Sequence, residues 1–457
     1  MFSEIYNTEL SFDHNQVDGF NCYPSEIMTE YNQCIEEGLD VSEYKALFES
    51  VAGMENGEIK TRMSDMIFEL VMKSRIRNDY AYNEPNELEE IRASRTPYEF
   101  SATKPDAEAL RKKLLGAWTG RACGCLHGKP LEGIRSNELI PFLKETGNYP
   151  MHRYVLNADI TEEICSKYAF HFRNKPYADT VDGMPVDDDT NYVALAQQII
   201  SDYGRDFESG NVATAWMKYQ SVYSYFTAER VAYTNFIKCL VPPASAMYKN
   251  AYREWIGAQI RGDYFGYINP GNPELAAEMA FRDARISHVK NGIYGEMFVS
   301  AMIACAAVTD SIEDIIFGGL AQIPSRSRLC EAVMKIYNDY KNGRTVDECF
   351  DYIHSAYDEH TSHGWCHTIS NAMIVVAALL YGEGDFGKSI CIAVGMAFDT
   401  DCNGATVGSI LGMRGGIDCI DEYWKKPING KIHTSIFGVG TVDIEKAVDK
   451  TIEHIGE

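Results

Sequence analysis

Glycines stand at positions 116, 120, 124 and 128, and again at 404, 408, 412 and 416. At the 3.6-residue period of an α-helix, residues four apart share a face. Leu110, Leu114, Trp118, Ala122 and Leu126 mark the apolar stripe of the first segment, so its glycines lie on a neighbouring face. Each interior glycine costs a helix ~1 kcal/mol relative to alanine. A run of them needs a compensation, and the usual one is close approach by another backbone. Two segments with this spacing predict a tightly packed pair of central helices, each carrying residues to one site.

Most of the remaining chain also reads as helix. Ile59, Met63, Met66, Ile67, Leu70 and Val71 repeat at helical spacing and predict an amphipathic helix over 58–76. Apolar periodicity or helix-rich composition predicts further helices over 191–203, 212–224, 273–284, 295–308, 311–319, 327–341, 346–356, 371–380, 387–398 and 444–454. The best strand-like segment is 431–437, and 136–186 reads as a long loop punctuated by prolines and glycines. No period of twenty to fifty residues recurs, which excludes a solenoid. Pro85, Pro97 and Pro105 break a polar linker, which places a boundary near residue 105. The expected architecture is one large all-α domain, 106–457, preceded by a small acidic helical extension, 1–105. The extension is expected to pack on the main body or to mediate self-association.

A chain of 457 residues, 45% hydrophobic and 24% charged, has the composition of a soluble globular protein. The net charge of −24 argues against a nucleic-acid backbone as partner, because such binding needs a basic footprint. Residues 1–100 hold 8 Lys and Arg against 21 Asp and Glu, which reads as a solvated acidic face. There is no basic-plus-apolar leader, and no apolar run approaches the ~20 residues a membrane span requires. The expected location is the cytoplasm. Thirteen cysteines without a CxxC pair read as reduced thiols, and no Cys/His cluster has zinc spacing.

Two acidic knots carry the chemistry. Asp187-Asp188-Asp189-Thr190 precedes a helical apolar run, and Asp399-Thr400-Asp401-Cys402 separates two hydrophobic segments. Carboxylates so placed are costly to bury without counter-charge, and a hard divalent cation is the simplest partner. N-capping and the helix dipole account for one acid at a helix start and do not need three. Glu132, just past the first glycine stripe, reads on its own as a surface acid. His288, between two predicted helices, reads on its own as a structural histidine.

Taken together, these residues carry a resemblance. Gly116-Ala117, Gly124-Cys125-Leu126-His127-Gly128-Lys129-Pro130-Leu131-Glu132, Asp188-Asp189-Thr190, Ser287-His288 and Asp399-Thr400-Asp401 leading into Gly404 and Gly408 resemble, in order, the ADP-ribosylglycohydrolase family. The resemblance spans about 110–450 and implies an all-α orthogonal bundle around a binuclear Mg²⁺ or Mn²⁺ site. It implies hydrolysis of the ribosyl glycosidic bond of an ADP-ribosylated protein, nucleic-acid base or small molecule. Asp187, Asp188, Asp189, Asp399, Asp401 and Cys402 fall at metal-ligand positions, and Glu132 and Asp189 at catalytic ones. His288, Gly257, Arg261 and Asn291 fall at positions expected to contact substrate. Three positions depart from the family's pattern: Asp187 and Cys402 stand where threonine is usual, and Cys125 where aspartate is frequent. A thiol favours softer metals than Mg²⁺. A glycosidase acting on another nucleoside or sugar conjugate, and a catalytically silent binding protein, are the competing readings.

Overall fold

The computed structural model describes residues 22–456. Its centre is the glycine pair. The first helix, Ala107–Gly128, starts at Asp106, whose carboxylate accepts the Ala109 N–H at 2.9 Å as an N-cap. The second, Thr400–Gly415, runs antiparallel to it. A Cβ on Gly116, Gly120 or Gly124 would overlap the carbonyl oxygen of Gly412, Gly408 or Gly404 respectively, and the converse overlaps also hold. Only glycine permits this approach along the whole stripe. The remaining faces bury Leu114, Trp118, Ala122, Val407, Ile410 and Leu411.

Helix Asn291–Ala306 is buried at all sixteen positions, and Thr368–Tyr381 is buried from Thr368 to Leu380. Helices apolar on every side belong inside a large core. Outer helices are one-sided: Arg328–Lys341, capped by Ser327, buries Leu329, Cys330, Val333 and Ile336. The architecture is the all-α one expected from sequence. Pro273–Ala284 and Val346–Ala356 run over their expected spans. The helix expected over 191–203 begins earlier, at Asp188, so the acidic knot forms its first turn.

Three expectations require correction. The stretch 136–186 is not all loop. Ser136–Glu145 and Glu162–Lys167 are helical, and Leu139, Phe142 and Leu143 join Phe172 and Tyr177 in a satellite apolar cluster. Helices this short contain too few turns for a periodic signal. The helix expected to end near 224 stops at Tyr219, and Thr227–Ile237 forms a separate one. The strand shrinks to Lys431–His433, paired antiparallel with Thr441–Asp443. Its outer edge holds the chain ahead of the first knot: Met184 N–H donates to Lys431 O and His433 N–H to Met184 O, both at 2.9 Å.

Within the described part of the extension, Ile27–Glu36, Lys45–Ala52 and Glu58–Lys73 enclose a separate cluster that includes Ile27, Phe48, Val51 and Ile67. Residues 1–21 of that predicted unit lie outside the described residues. Buried ion pairs fasten the extension to the body. Arg253 sits between Glu30 and Glu37, and Arg328 pairs with Glu84 at 2.9 Å. Of the two roles expected for the extension, these contacts support packing on the body. Among the described residues, no helix is long and apolar enough to cross a membrane.

Candidate active site

Antiparallel pairing sets the end of one glycine helix against the start of the other. Gly128 meets Thr400, so Lys129–Glu132 lies beside Asp399–Cys402. A cavity of about 490 Å³ opens at this junction. Lys129, Glu132, Asp187, Asp188, Asp399, Asp401 and Cys402 line it, together with Glu229, Ile256, Gly257, Trp365 and Cys366. Its volume suits a small-molecule ligand.

Local backbone geometry aims the acids. Asp187 is the N-cap of Asp188–Tyr203; one oxygen accepts the Asp189 N–H at 2.8 Å and the other takes the Lys129 ammonium. Asp399 follows Ala397 and Phe398, which have φ of 61° and 56°. Left-handed backbone at two consecutive buried non-glycine residues is strained and requires firm packing on both sides. Asp399 N–H then donates to Asn371 Oδ1 at 3.3 Å. Asp189 turns inward to the buried Arg121, 3.1 Å away, and Arg121 also pairs with Asp263 at 2.8 Å.

The electrostatics match this crowding. Burial, followed by the charges of Asp187 and Asp189, holds Asp188 well above the usual carboxylate range. Burial and the Glu132 charge push Asp399 up to about 7. Asp401 is raised by burial, Glu132 and Asp187. Burial alone would lower the Lys129 pKa, but the Asp187 and Asp401 carboxylates outweigh it and keep the ammonium charged. Its Nζ lies 3.8 Å from Glu132 and 4.0 Å from Asp401.

The residues fit a divalent cation. The acids outnumber Lys129 and Arg121, and buried Asp401 Oδ1 has no hydrogen-bond partner among the described residues. Ligand atoms of Asp189, Asp401 and Cys402 lie within 4.8 Å of one another, as do those of Cys125, Asp187 and Asp189. Carboxylate oxygens suit Mg²⁺ or Mn²⁺. The thiols of Cys125 and Cys402 are held protonated by burial and the surrounding acids.

The sequence-derived set is only partly assembled here. Glu132, Asp187, Asp188, Asp399, Asp401, Cys402 and Gly257 line the cavity. Asp189 is not part of this lining; it is buried against Arg121. Arg261, His288 and Asn291 do not reach the cavity. Arg261 is enclosed by Glu229 at 2.8 Å, Asp283 at 2.5 Å and Glu296 at 3.5 Å. His288 accepts from Ser287 at Nδ1, 2.8 Å away, and burial with the Arg261 charge keeps it neutral. Asn291 joins Glu254 to Glu84 of the extension at 2.9 and 2.8 Å.

Sequence reading missed Lys129, Arg121 and Glu229. Glu229 lies on the cavity wall with its charge met by Arg261, and a Cβ on Gly257 would overlap its carboxylate. The one available signal was Lys129, which falls within the stretch carrying the resemblance.

Residues 106–455 match ADP-ribosylglycohydrolase, so the chain belongs to the ADP-ribosylglycohydrolase family. A solved structure titled "ADP-ribosylglycohydrolase-related protein complex" is similar at 14% identity and a TM-score of 0.43, over 76% of this chain and 98% of the other. A comparison with curated proteins finds no match.

Proposed function

We propose that this protein is a metal-dependent glycohydrolase that cleaves the ribosyl glycosidic bond of an ADP-ribosyl or related ribosyl-nucleotide adduct. The observation that carries the reading is the convergence of Glu132, Asp188, Asp399 and Asp401 on one cavity in a chain of this family. In this reading Asp187, Asp188, Asp189, Asp399 and Asp401, with Cys402 beside them, hold Mg²⁺ or Mn²⁺, in two ions. Held by these residues, a divalent cation would supply Lewis-acid chemistry for a ribose hydroxyl and for water.

The chain's own side chains supply the remaining chemistry. Cleaving a riboside builds oxocarbenium character, which neighbouring carboxylates stabilise. Glu132, exposed at the cavity rim, moves the proton between water and the departing atom. Trp365 and Ile256 present apolar surface to the adduct, and Lys129 presents the one ammonium on the lining. The division at residue 105 belongs to this proposal: the extension has its own apolar cluster, and the catalytic domain begins at the Asp106 cap. Reduced cysteines suit a reducing compartment, and all thirteen are free.

The test combines elemental analysis of the purified protein with hydrolysis of ADP-ribosylated protein and of small ribosides, with and without chelator. Release of ADP-ribose that chelator abolishes and Mn²⁺ restores is the expected result. Full activity in excess chelator would overturn the metal dependence. Cleavage of simple ribosides alone would transfer the chain to the second reading, a glycosidase of another nucleoside.

A further inference from the structure

Residues 22–105 lie outside the stretch matched to the family, yet they touch residues that flank the cavity lining. Glu36 ends helix Ile27–Glu36, and its two oxygens lie 3.0 Å from His363 Nε2 and 3.3 Å from His367 Nε2. Two histidines and a carboxylate in this arrangement resemble a metal site, but the tautomers exclude one. Trp255 Nε1–H, which can only donate, hydrogen-bonds to His363 Nδ1 at 3.1 Å, and the Ile369 N–H donates to His367 Nδ1 at 3.1 Å. Both neutral rings therefore carry their proton on Nε2, where a cation would need the lone pair. The Glu36 carboxylate instead lies against the Nε2 edge of both rings, at ion-pair distance and without an aligned hydrogen bond.

The residues between these histidines face the other way. Trp365 and Cys366 line the cavity. Asn371 Nδ2 donates to Trp365 O at 3.0 Å and His367 O at 2.9 Å, and its Oδ1 accepts the Asp399 N–H. Ile256 N–H donates to Cys366 O at 2.8 Å, so the 254–257 wall is tied to the same turn. A second residue of the extension, Gln33, donates to Glu254 Oε2 at 2.6 Å.

We propose that Glu36 is a positioning residue for the active site: through His363 and His367 the N-terminal extension holds Trp365 and Cys366 in the geometry that shapes the substrate cavity. The inference rests on that cavity being the substrate site. It makes the extension a structural part of the catalytic unit.

The experiment uses the full chain with Glu36→Ala and Glu36→Gln, and ADP-ribose and Mn²⁺ as probes. Acrylamide quenching of Trp365 is read as the difference between each protein and its Trp365→Phe counterpart. Glu36→Ala is expected to raise Trp365 quenching and weaken ADP-ribose binding about tenfold. Mn²⁺ affinity is expected to fall less than ADP-ribose affinity, because the turn reaches the proposed cation ligands only through the Asn371 contact to the Asp399 N–H. Glu36→Gln, which keeps one acceptor, is expected to fall between, and it carries both readouts if Glu36→Ala does not fold. Unchanged quenching with unchanged ADP-ribose affinity overturns the proposal. Equal losses of Mn²⁺ and ADP-ribose affinity also overturn it, since Glu36 would then serve the fold as a whole. A wild-type protein that binds Mn²⁺ but no ADP-ribose would remove the proposed function, and the quenching comparison would still decide the positioning role.

Discussion

The Thr400 hydroxyl donates to the Gly128 carbonyl at 2.9 Å, across 272 residues of chain. This bond joins the last residue of one glycine helix to the first of the other. One part of the cavity lining follows from that junction, because Lys129–Glu132 leaves it in one direction and Asp399–Cys402 enters it from the other. The packing that brings the helices together also brings the acids together.

Gly124→Ala and Gly404→Ala are therefore expected to cost stability even though alanine is the better helix former. Propensity favours alanine by ~1 kcal/mol, whereas overpacking against immobile backbone costs about 1–3 kcal/mol or more. Gly210→Ala, in helix Ser209–Tyr219 where an added Cβ meets nothing within 4 Å, serves as the control and is expected to be neutral or stabilising. Denaturant midpoints of the three variants decide the point, and equal midpoints would remove the close-approach explanation.

Asp188→Asn and Asp399→Asn are expected to abolish divalent-ion binding and hydrolysis while leaving the fold intact. Without added metal, each variant is expected to melt above wild type, because a crowded buried carboxylate is replaced by a neutral amide. Paired melting curves with and without Mn²⁺ read both effects. A metal-free variant less stable than wild type would contradict the electrostatic account.

The raised acid pKa values fix the sign of the pH response. Asp399 moves from the ordinary 3.8 to about 7, so the folded state holds its proton more tightly than the unfolded chain does. That contribution to stability is present at low pH and is lost as pH rises through the interval between those values. Asp188 and Asp401, both raised, act in the same sense. The metal-free protein is expected to lose melting temperature between about pH 4 and pH 7, and the stabilisation by Mn²⁺ is expected to grow over the same interval as ligands deprotonate. A flat response would show the acids to be ionised throughout.

Lys129→Met should destabilise the metal-free protein, since Asp187 loses its counter-charge in a buried setting. Added Mn²⁺ is expected to restore more stability to this variant than to wild type, because a divalent ion then meets the charge that the ammonium had met. Calorimetric titration with Mn²⁺ measures the change. An affinity below that of wild type would instead place Lys129 among the groups that assist cation binding.

How far the sequence revealed this arrangement depended on the kind of signal. The glycine pair was legible because backbone contact along a helix face demands a strict four-residue spacing, and only one residue type satisfies it. The acidic knots were legible because clustered carboxylates in apolar surroundings are energetically conspicuous. Counter-charges carry no such periodic signature. Arg121 and Lys129 compensate acids that are distant in the chain, so neither could be matched to Asp189 or Asp187 without coordinates. Arg261 and Asn291 were assigned to substrate by resemblance. Here Arg261 is used up by Glu229, Asp283 and Glu296, and Asn291 by the joint between body and extension. The left-handed turn at Ala397 and Phe398 left no trace at all, since neither residue type favours it.

Backbone meets backbone along the glycine stripe, so no side chain between the two helices can change rotamer to absorb a shift. The acidic groups of the two halves thus keep their spacing before any cation or substrate arrives. The reorganisation that would otherwise accompany each catalytic cycle is completed once, when the chain folds.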